Sequence, residues 1–195
     1  PKNTGVMYPM TQIPPTKLKL PEFAWFEQLR PTDPQDVFVW RGKAADAVLF
    51  GGDFAAFNHT ETGLPALEAL CKKHDAVFSV IGNCDEPEFL KELEKRDVSV
   101  ENTLAYVGGV CIAGSGGGSK FTGTTPNERT EEELLSDFSV VEHASGGTGK
   151  KSDWSNLILI SHNPPKDTKC DAVNPALHAG SQKFRELIER LSPLA

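Results

Sequence analysis

The sequence lacks the features that define several common classes of protein. Its four cysteines are widely spaced and form no Cys-x-x-Cys pair, which argues against a disulfide framework or a thiolate zinc site and predicts reduced thiols in a cytoplasmic protein. No apolar run approaches the length of a membrane span, and no signal-peptide pattern is visible, so we expect no membrane association. The net charge of −7 argues against a nucleic-acid partner, because a polyanion binds a basic face.

Two catalytic motifs are also missing. No serine lies in a Gly-x-Ser-x-Gly elbow, so nucleophilic serine chemistry is not supported. Residues 146–152 resemble a phosphate-binding loop, but Ala144 and Lys151 occupy two of the positions that define it, and the predicted order of strand and helix is reversed. We therefore predict a polar loop there. The glycine-rich residues 115–119 leave two alternatives open, a backbone cradle for an anion or a mobile linker.

The length of 195 residues and the hydrophobic content of 38% predict one domain with a substantial core. Residues 1–45 are rich in proline and predict an irregular arm with a short helix at residues 23–29. Residues 33–45 fit either a second helix or a strand around Val39. Residues 46–195 are predicted to form the main α/β domain.

The segment between Asp46 and Asp85 organises this domain. Apolar runs at residues 47–50 and 76–81 predict two buried strands. Between them, one predicted helix face is apolar, formed by Leu64, Leu67, Leu70 and Cys71. The right-handed crossover of such a βαβ unit makes its strands parallel.

Polar residues follow these strands where each one ends. Asp53 follows the first strand, Asn83 follows the second, and His162 follows a third apolar run at residues 156–161. Gly-Asp and Gly-Asn pairs commonly make simple turns, but three such tips together favour a ligand site at the carboxyl edge of the sheet. His59, His74 and His143 lie in polar segments and are predicted to be solvated.

Later segments follow ordinary local rules. Short strands are predicted at residues 97–100, 103–107 and 110–113, and a long loop at 114–127. A capping box at Thr130 and Glu133 predicts the start of one helix, and Ser181 is predicted to cap another.

The tips Gly52-Asp53, Gly82-Asn83-Cys84-Asp85 and Ser161-His162, in this order, resemble the calcineurin-like metallophosphoesterases. The match is closest to their small prokaryotic branch. The resemblance also rests on three further stretches, at residues 113–128, 162–165 and 178–181. It implies a two-sheet β-sandwich flanked by helices, in αββα layers, and a phosphoesterase that uses two divalent transition metals (Mn, Zn or Fe).

The resemblance also assigns roles to individual residues. The aspartate matching Asp53 bridges the two metals, while Asn83 and His162 complete most of the shell of one of them. A metal-bound hydroxide then attacks a small phosphorylated substrate, such as a phosphodiester. Many relatives carry a histidine at the position of Cys84, where it contacts the phosphate beside an acidic partner that matches Asp85. Asn83, Cys84 and Asp85 are therefore candidate catalytic residues, with Asn163 and His178 as candidate substrate-side residues. Cys84 could equally be a small packing residue.

Two motifs of the family have no counterpart in this chain. The Asp-x-His of its first strand and the Gly-His-x-His of a late strand are both absent. Either the chain represents part of a longer enzyme, which we favour, or it is a degenerate relative. The corresponding functional alternatives are a metal-dependent phosphoesterase whose dinuclear site is incomplete here, and a non-catalytic interaction or metal- or phosphate-binding module that retains the fold. The substrate, the native metals and the oligomeric state stay open.

Overall fold

The computed structural model describes residues 3–4, 25–28, 38–41, 47–121, 123–145, 154–174 and 177–195, with side chains from residue 47 onward. The strands are β1 (Asn3–Thr4), β2 (Trp25–Gln28), β3 (Phe38–Arg41), β4 (Val48–Phe50), β5 (Val77–Ser79), β6 (Ala105–Val107), β7 (Val110–Ser115), β8 (Gly118–Ser119), β9 (Glu128–Arg129), β10 (Leu157–Ser161), β11 (Ala172–Asn174) and β12 (Leu177–His178). The α-helices are α1 (Gly63–Lys73), α2 (Leu90–Lys95), α3 (Glu131–Ser136), α4 (Ser139–Ala144) and α5 (Gln182–Leu191). Short 3₁₀ helices lie at Thr60–Thr62 and Pro87–Phe89.

Parallel strands place the candidate residues at one edge of the central layer. Strand β4 pairs in parallel with β5, and β7 pairs in parallel with β10. Residues 98–101 join the two pairs through parallel bridges from Ser79 to Ser99 and from Glu101 to Gly114. The carboxyl ends of all these strands therefore meet at the same edge of the sheet, which is where open α/β sheets bind ligands.

Apolar residues bury both faces of this layer. The helix-bearing face has one cluster under α1 and α2, centred on Leu67 and Phe54, and another under α4 and α5, centred on Phe138 and Leu187. The rings of Phe138 and Phe184 stack with centroids 5.3 Å apart. The opposite face is formed by the alternate strand residues Leu49, Val80, Val100, Val110, Ile112, Ile158 and Ile160. Burial on both faces explains why the strands are continuous apolar runs.

Local sequence rules account for the helix starts. The Thr130 hydroxyl accepts a hydrogen bond from the Glu133 N–H, and the Glu133 carboxylate accepts one from the Thr130 N–H, so the predicted capping box is confirmed. The Ser181 hydroxyl accepts from the Phe184 N–H and caps α5, which confirms that prediction as well.

The structure confirms the α/β class and the parallel βαβ unit, but several local predictions were wrong. Residues 25–28 form strand β2 rather than a helix, and residues 38–41 form strand β3, which settles that alternative. Leu64 is 39% exposed, because α1 turns Ala66, not Leu64, toward the core with Leu67 and Leu70. His74 is buried at 6% exposure rather than solvated, whereas His59 and His143 are exposed as predicted. Residues 97–100 make only bridges, and the polar loop predicted at residues 146–152 lies outside the described residues.

Neither alternative for residues 115–119 holds. Ser115 ends β7 and Gly118–Ser119 forms β8, so the segment is not a mobile linker. Its backbone N–H groups are also engaged within the protein, because Gly117 donates to Ile81 O and Gly118 donates to Asn127 O. The segment therefore has few free donors for an anion and acts instead as a layer beside the sheet edge.

Candidate metal centre

Glycine allows the first two strand tips to lie against each other. Gly52 and Asp53 have φ values of +96° and +59°, both in the left-handed region. A Cβ on Gly52 would lie 2.4 Å from Gly82 N, and a Cβ on Gly82 would lie 2.0 Å from Asp53 Oδ1. Because any side chain would clash at either position, the paired glycines bring the Asp53 carboxylate directly over the second tip.

The structure brings together the three residues predicted to hold a metal. His162 Nε2 lies 2.8 Å from Asn83 Oδ1 and 3.5 Å from Asp53 Oδ1. The His162 side chain is 13% exposed and that of Asp53 is 34% exposed, so the cluster opens toward solvent on the aspartate side. Three residues far apart in the chain therefore present one oxygen or nitrogen atom each to a common point.

The second ring nitrogen of His162 determines its tautomer. His162 Nδ1 lies 2.7 Å from Gly51 O, and a carbonyl oxygen can only accept a hydrogen bond, so Nδ1 carries the proton. In the neutral imidazole, the Nε2 lone pair then points at the oxygens of Asn83 and Asp53. Lone pairs that face one another without a hydrogen atom between them repel, whereas a cation placed among them is bound by all three. The residues present therefore fit a divalent metal, and imidazole with carboxylate and amide oxygens suits Zn, Mn or Fe.

The backbone next to the cluster orients the Asp53 carboxylate. The Cys84 N–H donates to Asp53 Oδ1 at 3.0 Å, which leaves lone pairs on both carboxylate oxygens for another partner. The Cys84 thiol itself is half-buried. Burial and the neighbouring carboxylates of Asp53 and Asp85 raise the pKa of Cys84 to about 12, so the metal-free protein carries a neutral thiol here.

Asp85, predicted as a carboxylate partner in catalysis, lies buried against the strand tips and is hydrogen-bonded to them. It is 0% exposed, and it accepts hydrogen bonds from the N–H groups of Phe54 at 3.2 Å, Ala55 at 2.7 Å and Gly82 at 2.7 Å. Burial raises the pKa of this carboxyl, and the N–H donors oppose that effect. Asp85 therefore stabilises the turns that carry Asp53 and Asn83 and is closed off from solvent.

The two predicted substrate-side residues lie in different surroundings. Asn163 follows His162 and is 7% exposed. Its Oδ1 accepts from the Ser119 N–H at 3.0 Å, while Asn163 Nδ2 and Ser119 Oγ have no hydrogen-bond partner among the described residues. Buried polar groups are normally paired, so these two enclosed atoms are unsatisfied in this arrangement.

His178 lies instead in a second polar cluster, centred on Asp171. Its Nδ1 is 2.7 Å from Asp171 Oδ1, and the buried Asp171 also accepts from three backbone N–H groups, those of Asp167, Thr168 and Gly180. Burial raises the pKa of Asp171, but these hydrogen bonds together bring it well below its ordinary value. Within the described part of the chain, no hydrogen bond or ion pair links His178 to Asp53, Asn83 or His162.

Sequence reasoning missed a buried charged network behind the cluster. Arg129 donates to both carboxylate oxygens of Asp137, at 2.6 and 3.0 Å, and to Gly116 O at 3.0 Å. Glu101 accepts from the Ile81 N–H at 2.7 Å, and its other oxygen lies 3.9 Å from Arg129. The alternation of apolar Val98 and Val100 with polar neighbours predicts a solvent-facing Glu101, so no local pattern indicated that this acid is buried. The contacts themselves join separate segments and have no local pattern.

The fold and the site together define an α/β protein with a candidate metal centre at the carboxyl edge of its sheet. The sequence model of the calcineurin-like phosphoesterases matches residues 23–191. The chain belongs to this family, whose members use divalent metals, and the predicted family and fold are confirmed.

One curated relative is an uncharacterized archaeal protein, MJ1162 of Methanocaldococcus jannaschii. It is 31% identical over 150 residues, which cover 74% of this chain and 63% of the archaeal protein. The chain therefore spans less than two thirds of the length of that relative. Among the described residues, no helix is long and apolar enough to cross a membrane.

Proposed function

We propose that this chain carries part of the active site of a metal-dependent phosphoesterase that acts on phosphodiesters or other small phosphorylated substrates. The observation that carries the proposal is the convergence of His162 Nε2, Asn83 Oδ1 and Asp53 Oδ1, with the His162 tautomer set by Gly51 O. When bound, the divalent metals of such a centre polarise a phosphoryl oxygen and activate water. A dinuclear centre needs more ligands than these three residues supply.

The residues around the cluster support distinct roles in this proposal. His162 and Asn83 would hold a metal through neutral donors, and Asp53 would add the negative charge that favours a divalent ion. The Cys84 N–H would keep the Asp53 carboxylate oriented. Asp85 would act through the turns that it clamps rather than by touching substrate.

A substrate side is proposed next to Asn163. Its unpartnered Nδ2 and the unpartnered Ser119 hydroxyl are neutral donors of the kind that suits a phosphoryl oxygen, but both are buried, so they would contact substrate only if the residues that cover them move. The Cys84 thiol borders the same cluster. A thiol is a weak hydrogen-bond donor, so we expect it to favour esters with good leaving groups if it faces substrate, and to act as packing if it does not. His178 would contribute only to more distant parts of a substrate.

A second candidate is a non-catalytic module that binds a metal or a phosphate. The observation that favours it is the absence from this sequence of the Asp-x-His and Gly-His-x-His pairs. Both candidates predict metal binding by Asp53, Asn83 and His162, and they differ in turnover.

The deciding experiment titrates the purified chain with Mn²⁺ or Zn²⁺ and then assays hydrolysis of a nitrophenyl phosphodiester. For the first candidate we expect weak binding of a divalent ion and slow turnover, and for the second we expect binding without turnover. Asp53→Ala should weaken binding by at least about tenfold, whereas the matched change at the exposed Asp75 should leave it unaltered. Binding without turnover favours the second candidate. Equal binding by wild type and Asp53→Ala contradicts both.

A further inference from the structure

Asn127 lies behind the metal-binding tip and is hydrogen-bonded to it twice. The Asn127 N–H donates to Asn83 O at 3.1 Å, and Asn127 Nδ2 donates to Gly82 O at 3.0 Å. The residue is buried at 6% exposure. Asn127 therefore donates hydrogen bonds to two consecutive backbone carbonyls, and one of them belongs to the candidate ligand Asn83.

Asn127 is in turn hydrogen-bonded to the glycine-rich segment at residues 116–118, which also contacts the second strand tip. The Asn127 carbonyl accepts from the Gly118 N–H at 3.0 Å, and the Gly117 N–H donates to Ile81 O at 3.0 Å. Gly117 has a φ of +78°, and a Cβ there would lie 3.0 Å from Asn127 Nδ2, so only glycine leaves room for this packing. The neighbouring Gly116 O is held by Arg129. Through these contacts, the carbonyls of residues 81–83 all accept hydrogen bonds from Gly117 or Asn127.

We propose that Asn127 is a positioning residue for Asn83, and that it orients the Asn83 side-chain oxygen toward His162 and the metal. The proposal rests on the proposed function in one respect, namely that Asn83 holds a metal. Asn83 Oδ1 is 2.8 Å from His162 Nε2, and the backbone that Asn127 holds fixes the Cα–Cβ bond from which this side chain extends. Rotation of the Gly82–Asn83 peptide would swing the oxygen away. Partners that orient the ligands of a metal are worth about 10–100-fold in metal affinity.

The test uses two variants that remove the same kind of bond at opposite ends of the sheet. Asn127→Ala deletes the bond from Nδ2 to Gly82 O and leaves the backbone bond to Asn83. The control is Asn156→Ala at an exposed position, which deletes a 3.1 Å bond from an asparagine Nδ2 to Gly109 O at the amino end of β10, away from the carboxyl edge that carries Asn83. Asn127→Ser provides a milder version of the first change, should the alanine variant fail to fold.

Two measurements are made on each variant, and one of them needs no metal. In the titration with Mn²⁺, Asn127→Ala and Asn127→Ser should bind about tenfold more weakly than wild type, while Asn156→Ala should bind as wild type does. In NMR spectra of the metal-free protein, the Asn83 side-chain amide signals should shift or broaden in the Asn127 variants only.

The outcomes separate this inference from the function on which it rests. If the wild type binds no Mn²⁺, the proposed function fails, while the metal-free NMR spectra still decide whether Asn127 orients Asn83. Unchanged Asn83 signals together with unchanged affinity in the Asn127 variants would overturn the inference. An equal loss of affinity in Asn156→Ala would also overturn it, because the effect would then come from overall stability.

Discussion

Replacing Glu101 by glutamine should change how the stability of the protein depends on pH. The Glu101 side chain is 6% exposed. Burial raises the pKa of Glu101 from its ordinary 4.5 to about 7, against the lowering effects of the Ile81 N–H and of Arg129 and with a smaller raising effect of Asp137. In the unfolded chain, where these surroundings are lost, the carboxyl returns to its ordinary value.

The sign of the effect follows from proton binding. Between pH 4.5 and about 7 the folded state holds a proton on Glu101 that the unfolded state has released. The free energy of unfolding therefore falls as the pH rises through this window and is unaffected by Glu101 outside it. At about 1.36 kcal/mol for each pKa unit, the loss amounts to about 3 kcal/mol. Glutamine retains an oxygen for the Ile81 N–H but does not titrate.

The assay is urea unfolding of wild type and Glu101→Gln across this pH window. We expect the difference in unfolding free energy between the two proteins to change by about 3 kcal/mol in favour of the variant as the pH rises. The exposed Glu94→Gln controls for the loss of a surface carboxylate. If the wild-type and Glu101→Gln curves run parallel with pH, the reasoning about buried Glu101 is wrong.

Two further predictions concern carboxylates bound by backbone N–H groups. Asp85→Ala leaves three buried donors without an acceptor, and at about 1–3 kcal/mol for each donor the free energy of unfolding should fall by about 3 kcal/mol or more. A loss below about 1 kcal/mol in urea unfolding would contradict the clamp. The N–H groups of Phe121 and Gly123 lower the pKa of Glu128 from 4.5 to about 2, so these bonds should be intact above pH 4.5 and lost only as the pH falls through about 2. If an NMR titration of the Gly123 amide has its midpoint near the ordinary glutamate pKa of 4.5, the loop does not hold the Glu128 carboxylate.

Much of the fold follows from local patterns in the sequence. Continuous apolar runs before Gly51 and His162 predicted strands buried on both faces, because a side chain on either face of such a strand leaves water. The capping box at Thr130 and the N-cap at Ser181 were equally legible, since they depend on residues within one turn. Where local preference was weak, the prediction was wrong, as at residues 25–28, which pair with β1 and β3.

For the candidate site too, local patterns predicted some features and only tertiary contacts decided the others. Asp53, Asn83 and His162 could be found from the sequence because each follows a strand, and parallel strands end at one edge. The contact between Asn83 and His162 joins residues that are 79 positions apart in the chain. The sequence could not show that the Asp85 carboxylate binds the backbone N–H groups of Phe54 and Ala55 rather than facing the Cys84 side chain.

The sequence by itself determined the strands, the helix starts and the strand-tip residues, because these depend on near neighbours and on the periodicity of apolar side chains. Only the tertiary structure decided which polar groups became buried and what they bind. Asn127 reaches Gly82 across 45 residues and Glu101 reaches Ile81 across 20. A buried donor or acceptor takes whichever partner the packing of distant segments brings within hydrogen-bond distance, and that choice leaves no periodic trace along the chain.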